Sequence, residues 1–123
     1  MFRIKRVYEK PAEGDGMRVL VDRLWPRGLK KEEVRIDHWM KDAAPSDSLR
    51  KWFAHKEELW PEFKRRYREE LKDKKDILKQ LQDLGKSKKV TLLYAAKDEE
   101  RNNARVLLEL LKKNELDVST SDR

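Results

Sequence analysis

Two short runs of the sequence are apolar on both faces of an extended chain, and they constrain the fold more than any other feature. The first lies within MRVLVDRLW, residues 17–25, and the second is KVTLLYAA, residues 89–96. A strand with one face in water alternates apolar and polar residues, whereas a strand that is apolar on both faces is covered by helices on each side. We therefore expect two central, parallel strands near residues 18–24 and 89–96, either adjacent or next but one in a sheet.

Helical periodicity accounts for much of the remaining chain. Apolar residues recur at helical spacing in three segments: a short helix capped by Ser46 or Asp47, a helix over residues 57–73 with Pro61 in its first turn, and a helix over residues 76–84 that ends at Gly85. A fourth helix follows the second central strand, with Asp98 as its candidate cap. Residues 2–8 alternate as an edge strand does, and residues 34–38 form either a short strand or an extended connection.

Buried strands that alternate with helices predict an α/β fold, a single layered domain with a largely parallel central sheet flanked by helices. The chain has 123 residues, which is enough for one hydrophobic core but not for two. We assign the domain to residues 1–115 and interpret residues 116–123 as a tail or a short last strand. Ligands of such sheets usually bind beyond the carboxyl ends of the strands.

Composition excludes several classes of site. The chain has no cysteine, which excludes a disulfide scaffold, a thiol nucleophile and thiolate metal ligands. Its two histidines lie far apart, and no spacing rule supports Mg²⁺ on Asp22 and Asp98, so no metal site is predicted. Glycine-rich phosphate loops and hydrolase signatures are also absent from the sequence, which leaves any cofactor unidentified.

The distribution of charge bears on location and partners. The opening residues, MFRIKRVYEK, contain no apolar export segment, and no stretch approaches the roughly 18 apolar residues of a membrane span. We therefore expect a cytoplasmic protein without membrane contact. A net charge of +7 favours an anionic partner, although interleaved charges such as KRRYREELKDKKD are also typical of a solvated surface.

Polar and aromatic side chains follow both central strands and form the candidate binding site. The residues after the first strand are Asp22, Arg23, Trp25 and Arg27, and those after the second are Lys97, Asp98, Asn102 and Asn103. Cations, amides and free helix N–H groups at one sheet edge are suited to holding a phosphate or a carboxylate. We expect Arg27 and Lys97 to neutralise the anion, the two asparagines to hydrogen-bond it, and Trp25 to wall it or stack on it.

Each of these residues also has a structural interpretation. Asp22 and Arg23 can pair with neighbours to neutralise a strand end, Trp25 can belong to the core, and Asp98 can be no more than a helix cap. If there is turnover, Asp22 or His55 is the candidate acid or base. The structural alternative for His55 is a hydrogen bond to a carbonyl at the end of a helix.

Three functional hypotheses remain at this point. The first is a small enzyme or ligand-binding domain for a small anionic or nucleotide-like molecule at the carboxyl ends of the strands. The second is a nucleic-acid-binding or regulatory module that uses a basic surface on the long helix, formed by Arg65, Arg66, Arg68 and Lys72. The third is an adaptor that acts only through protein contacts.

Several motifs in a fixed order resemble one known family. They are DRLWPRG, Trp39 followed by KDAAPS, LRKWFAH with Trp60 and Phe63, RYREEL, and TLLYAAKDEERNNA. Over about residues 1–113 the sequence resembles the DUF488 family, in its YeaO-like branch. The resemblance implies a compact α/β fold of the bacterial or archaeal cytoplasm, with no assigned function and no catalytic residues to carry over.

A more distant branch of the same family resembles this chain in both strand-end motifs but carries a cysteine and a Cys-His-Arg run after the second strand. Tyr94 and the run Asn102, Asn103 and Ala104 stand at the apparently corresponding positions here. A thiol-dependent or histidine-dependent role of that branch is therefore not carried over to this chain.

Overall fold

A parallel sheet forms the centre of the protein. The computed structural model describes the backbone of residues 1–121 and the side chains of residues 1–113. Within this part of the chain, one sheet has four strands in the order β1-β4-β2-β3, all parallel to their neighbours. The strands are β1 (Phe2–Arg6), β2 (Met17–Leu20), β3 (His38–Trp39) and β4 (Val90–Tyr94). The two predicted central strands, β2 and β4, are adjacent and parallel, which confirms that prediction.

Four α-helices accompany the sheet within the same described residues, and together they confirm the α/β class. They are α1 (Asp47–Phe53), α2 (Trp60–Lys72), α3 (Lys75–Ser87) and α4 (Asn103–Ser121). Ser46 caps α1, since its side chain accepts a hydrogen bond from the Leu49 amide. Pro61 lies in the first turn of α2, where a missing N–H has no cost. None of the described helices is long and apolar enough to cross a membrane.

Two predicted boundaries are wrong. Helix α3 does not end at Gly85 but continues to Ser87. The glycine serves a different purpose, since a Cβ at this position would stand 2.3 Å from Cζ of Phe2, so that only glycine lets α3 approach β1 this closely. Helix α4 continues through Ser121 and covers most of the segment interpreted as a tail or a short last strand, while residues 122–123 of that segment lie outside the described residues.

The two faces of the sheet are covered differently. Side chains of all four helices pack on the face formed by Val19, Val21 and Leu92. The opposite face, which includes Leu20 and Leu93, packs against irregular chain from the region between β2 and β3. Both central strands are therefore buried on both faces, but α-helices cover only one face of the sheet. The expectation of helices on each side is wrong for the other face, because irregular chain packs there.

A buried charge cluster lies near the start of β2. Asp15 and Arg18 are both fully buried and form an ion pair of 2.5 Å between Oδ2 and Nη1. Arg3 and Lys5 of β1 reach the same carboxylate, at 2.5 and 3.1 Å. Burial opposes the charged form of Asp15, but hydrogen bonds from the Ala12 amide and from the three cations outweigh it and hold its pKa below the ordinary value. The cluster ties β1, β2 and the turn before β2 together.

Candidate functional site

An open cavity of about 930 Å³ lies at the carboxyl end of the sheet. Its walls are the segments that follow β2 and β4, together with parts of α1 and α2. Every residue predicted from the sequence as a site residue lines this cavity: Asp22, Arg23, Trp25, Arg27, His55, Lys97, Asp98, Asn102 and Asn103. The strand ends therefore bring together the two segments that the sequence analysis singled out.

Asp22 joins the ends of β2 and β4. Its Oδ2 accepts a hydrogen bond of 2.9 Å from the Ala95 amide, and its Oδ1 accepts one of 3.1 Å from Nδ2 of Asn103. Both donors are neutral, and no cation lies within ion-pair distance of this carboxylate in the part of the chain that the structure describes. Burial raises the pKa of Asp22, and these hydrogen bonds together with the charges of His55 and Arg50 lower it by less.

The two asparagines hold the start of α4 in place. Asn103 also donates to the carbonyl oxygen of Val21, at 2.9 Å. Asn102 is almost fully buried and caps α4, since its Oδ1 accepts from the Arg105 amide while its Nδ2 donates to the Asp98 carbonyl. Both side-chain amides were expected to bind an anion, but both are used within the protein. The amide of Asn103 joins α4 to the end of β2, and that of Asn102 joins α4 to the turn at Asp98.

Asp98 caps a turn and not the helix. Its Oδ1 accepts from the amides of Glu100 and Arg101, at 2.9 Å each, and its Oδ2 pairs with the guanidinium of Arg101 at 3.2 Å. These hydrogen bonds lower the pKa of Asp98. The predicted position of the cap of α4 is therefore wrong by four residues, because the chain makes a separate turn before the helix begins at Asn103.

Trp25 forms a rigid wall of the cavity. Its indole N–H donates to the Leu29 carbonyl at 2.7 Å, and its ring packs edge-on against Trp39 with centroids 5.4 Å apart. The indole of Trp39 in turn donates to the Asp22 carbonyl at 2.8 Å. Trp25 is thus part of the packing and also part of the cavity lining, so the two interpretations of this residue are compatible.

Arg27 and Lys97 are exposed cations on the same cavity. Neither side chain makes a hydrogen bond or an ion pair with any of the described residues. The backbone of Arg27 is held, because its carbonyl accepts a hydrogen bond of 2.8 Å from Oη of Tyr8. Neither cation therefore neutralises Asp22 or Asp98, whose described partners are other groups.

Three arginines complete the cationic lining. Arg23 donates to the Pro45 carbonyl at 3.2 Å, and Arg101 pairs with Asp98 and with Glu57. Arg50 of α1 makes a single long contact, 3.4 Å to Asp47, and its Nε is buried without a partner among the described residues. Neither Arg50 nor Arg101 was predicted as a site residue, because both stand among surface charges in the sequence and no spacing distinguishes them.

His55 is exposed at the mouth of the cavity. Its ring lies 6.0 Å from that of Phe53, and it makes no hydrogen bond to a helix-end carbonyl in the described structure. In the last turn of α1 the carbonyls of Arg50 and Phe53 instead accept from the amides of Ala54 and Lys56. Ala54 and His55 both have positive φ, 46° and 59°, a conformation that costs a non-glycine residue on the order of 1 to 3 kcal/mol. This tight end of α1 places the imidazole on the cavity.

The lining as a whole is cationic and apolar. Among the described residues, five side chains of lysine or arginine line the cavity against two carboxylates, and both carboxylates are engaged within the protein. Phe53 and Phe63, stacked with ring centroids 4.3 Å apart, form an apolar part of the lining. No cluster of three or more metal-ligating side chains occurs in the described part of the chain. This lining suits an anion that also carries an apolar portion.

The basic surface of α2 has a different character. Arg65 and Arg66 both pair with Glu62, Arg68 pairs with Glu109, and Lys72 pairs with Glu69. The guanidinium of Arg66 also stacks over the ring of Trp52 at 4.2 Å. Every cation that was proposed to contact nucleic acid is therefore already partnered by a carboxylate.

Comparison with known proteins gives a consistent family signal. A family model described as the inactive DUF488-N3 subclade matches residues 1–122. An uncharacterised protein of Mycobacterium tuberculosis (strain H37Rv) is 45% identical over 109 residues, which are 89% of this chain and 92% of that protein. The uncharacterised protein YeaO of Escherichia coli (strain K12) is 43% identical over 108 residues, 88% of this chain and 94% of that protein. No solved structure matches.

Proposed function

The chain belongs to the DUF488 family, in the subclade described as inactive, and on this premise we propose that it binds a small anionic ligand without turning it over. The ligand occupies the cavity at the carboxyl ends of β2 and β4. The resemblance to this family and its YeaO-like branch, seen first in the motifs, is confirmed by the family match and by the relatives.

The observation that carries this proposal is the pair of unpartnered cations. Arg27 and Lys97 line one cavity, and no described carboxylate neutralises either of them. A ligand anion that enters the cavity can accept charge-assisted hydrogen bonds from these side chains without displacing a described partner. Guanidinium and ammonium groups together are a common means of holding phosphate or carboxylate.

The rest of the lining indicates that the ligand is more than an inorganic ion. The cavity volume of about 930 Å³ falls within the range of small-molecule sites. Trp25, Phe53 and Phe63 offer aromatic surface on which a planar group can pack. A nucleotide-like molecule, with a phosphate at the cations and a ring against the aromatic wall, combines both features.

No observation favours the alternative of nucleic-acid binding through α2. Binding to a phosphate backbone requires cations that are free to replace counterions, and the four cations proposed for this role each pair with a glutamate. A weak, strongly salt-dependent affinity for DNA or RNA that depends on Arg65 or Arg68 would support this alternative.

The proposal is tested by calorimetric titration with inorganic phosphate and with adenosine and guanosine monophosphate. We compare the wild type with Arg27→Ala/Lys97→Ala and expect more than a tenfold loss of affinity, or about 1.4 kcal/mol or more. The matched control is Lys79→Ala/Lys112→Ala, which removes the same charge from exposed residues that do not line the cavity.

Two results would contradict the proposal. One is that none of the three probes binds the wild type at low ionic strength. The other is that both double variants lose affinity equally, since this would show a general effect of net charge.

A further inference from the structure

Asp22 is a carboxylate without a cationic partner in a cavity that is rich in cations. Its two hydrogen-bond donors are a backbone amide and the amide of Asn103. The charged groups that act on it, His55 and Arg50, lie beyond ion-pair distance. A partly buried carboxylate usually recruits a cation or is replaced by a neutral residue, so its presence here calls for a role beyond packing.

Asp22 keeps unused capacity to accept hydrogen bonds. An ionised carboxylate offers about four lone-pair positions, and the described contacts occupy two of them. Because Asp22 lines the cavity, a ligand placed there is a candidate donor for the remaining positions. Burial already disfavours its charge, so an N–H donor from a ligand would relieve part of that cost.

The residues that line the cavity differ in exposure. Arg27 and Lys97 are exposed and form what we call the cationic rim. Asp22 is partly buried and lines the cavity together with the buried rings of Phe53 and Phe63, and we call these three side chains the floor. A ligand that contacts both sets meets positive charge at the cationic rim, and aromatic surface with a carboxylate acceptor at the floor.

We propose that Asp22 accepts a hydrogen bond from an N–H group of the ligand and so selects for it. This inference rests on the proposed function, and it narrows the ligand to phosphorylated compounds whose other end is a planar ring bearing an amino or ring N–H donor. A site built to hydrogen-bond a polar group rejects analogues that lack the group, because its own polar atoms are then left unpaired. Asp22 is thus the specificity-determining residue, and the rim supplies affinity.

The test compares probes that differ in N–H donors. Adenosine and guanosine monophosphate both carry donors on the ring, whereas purine riboside monophosphate has the same phosphate and ribose but no N–H on its ring. We expect the wild type to bind the better of the first two at least tenfold more tightly than the third. Asp22→Asn keeps the shape but replaces one acceptor oxygen with an NH2 donor, which opposes an N–H of the ligand, so we expect it to lose most of this preference while it still binds inorganic phosphate.

The matched control is Asp76→Asn, which makes the same charge change on the exposed surface of α3 and should keep the preference. If Asp22→Asn does not fold, the wild-type comparison alone decides, and equal affinities for all three nucleotides would overturn the inference. Equal affinities that all depend on Arg27 and Lys97 would leave the proposed function intact. If inorganic phosphate binds the wild type but no nucleotide does, the inference is wrong and the proposed function stands. If neither phosphate nor a nucleotide binds, both proposals are wrong.

Discussion

Removal of the Asp15 carboxylate is the substitution with the most clearly predicted cost. In Asp15→Ala the guanidinium of Arg18, which is fully buried, loses its only ion-pair partner among the described residues. It then keeps one hydrogen bond, to the Arg35 carbonyl, while its Nη2 already has no partner. Breaking a buried pair in this way costs about 3 to 5 kcal/mol. Arg3 is partly exposed and can be resolvated, so it adds little to this cost.

The assay is urea unfolding with linear extrapolation to water. A loss of 3 to 5 kcal/mol is a large share of the roughly 5 to 15 kcal/mol that stabilises a typical domain. Asp15→Ala/Arg18→Met should be less destabilised than the single variant, because no charge is then left buried. The control is Glu62→Ala, an exposed carboxylate that also holds two arginines, for which we expect a much smaller loss.

The same variant has a predicted pH dependence. The pKa of Asp15 is lower in the folded protein than the ordinary value of 3.8, so the folded state binds fewer protons than the unfolded state in this range. The stability that Asp15 contributes is therefore present above pH 3.8 and is lost as the pH falls below it. The difference between wild type and Asp15→Ala should narrow in acid. A loss below about 1 kcal/mol at pH 7 would refute the reasoning about Arg18.

Three further substitutions test the packing that positions the site, each by urea unfolding. Phe63→Ala should cost about 3 to 5 kcal/mol, because this ring is buried and stacks on Phe53 in the cavity lining. A loss below about 1 kcal/mol would show that this face of α2 is not the buried one. Gly85→Ala should destabilise although alanine is the better helix former, because its Cβ would clash with Phe2; a gain in stability would contradict this close approach. Ser46→Ala should cost about 1 kcal/mol through loss of the cap of α1, and no change would mean that the cap is unimportant.

The sheet was largely predictable from the sequence because burial on both faces leaves a clear local pattern. The five residues of β4 are all buried, and their apolar run identified a central strand. The cover of the second face was not predictable, since an irregular connection has no periodicity. The end of α3 was predicted wrongly at Gly85, because a glycine needed for a close approach looks the same in sequence as one that ends a helix.

The site was predictable to the extent that it depends on the carboxyl ends of strands. That rule brought Arg27 and Lys97 together correctly on one cavity. It did not reveal that Asn102 and Asn103 are used to attach α4, because side-chain partners depend on the tertiary arrangement. Arg50 was missed for a similar reason, since its approach to the cavity depends on how α1 packs beside the sheet.

The most direct test of the central claim is to map where an anion binds. Backbone amide chemical shifts of the ¹⁵N-labelled protein are recorded while inorganic phosphate is added at constant ionic strength and pH. We expect saturable shifts confined to residues 22–28 and 95–103, which are absent in Arg27→Ala/Lys97→Ala. Shifts centred on residues 62–72 of α2, or shifts near the cavity that persist in the double variant, would contradict the account.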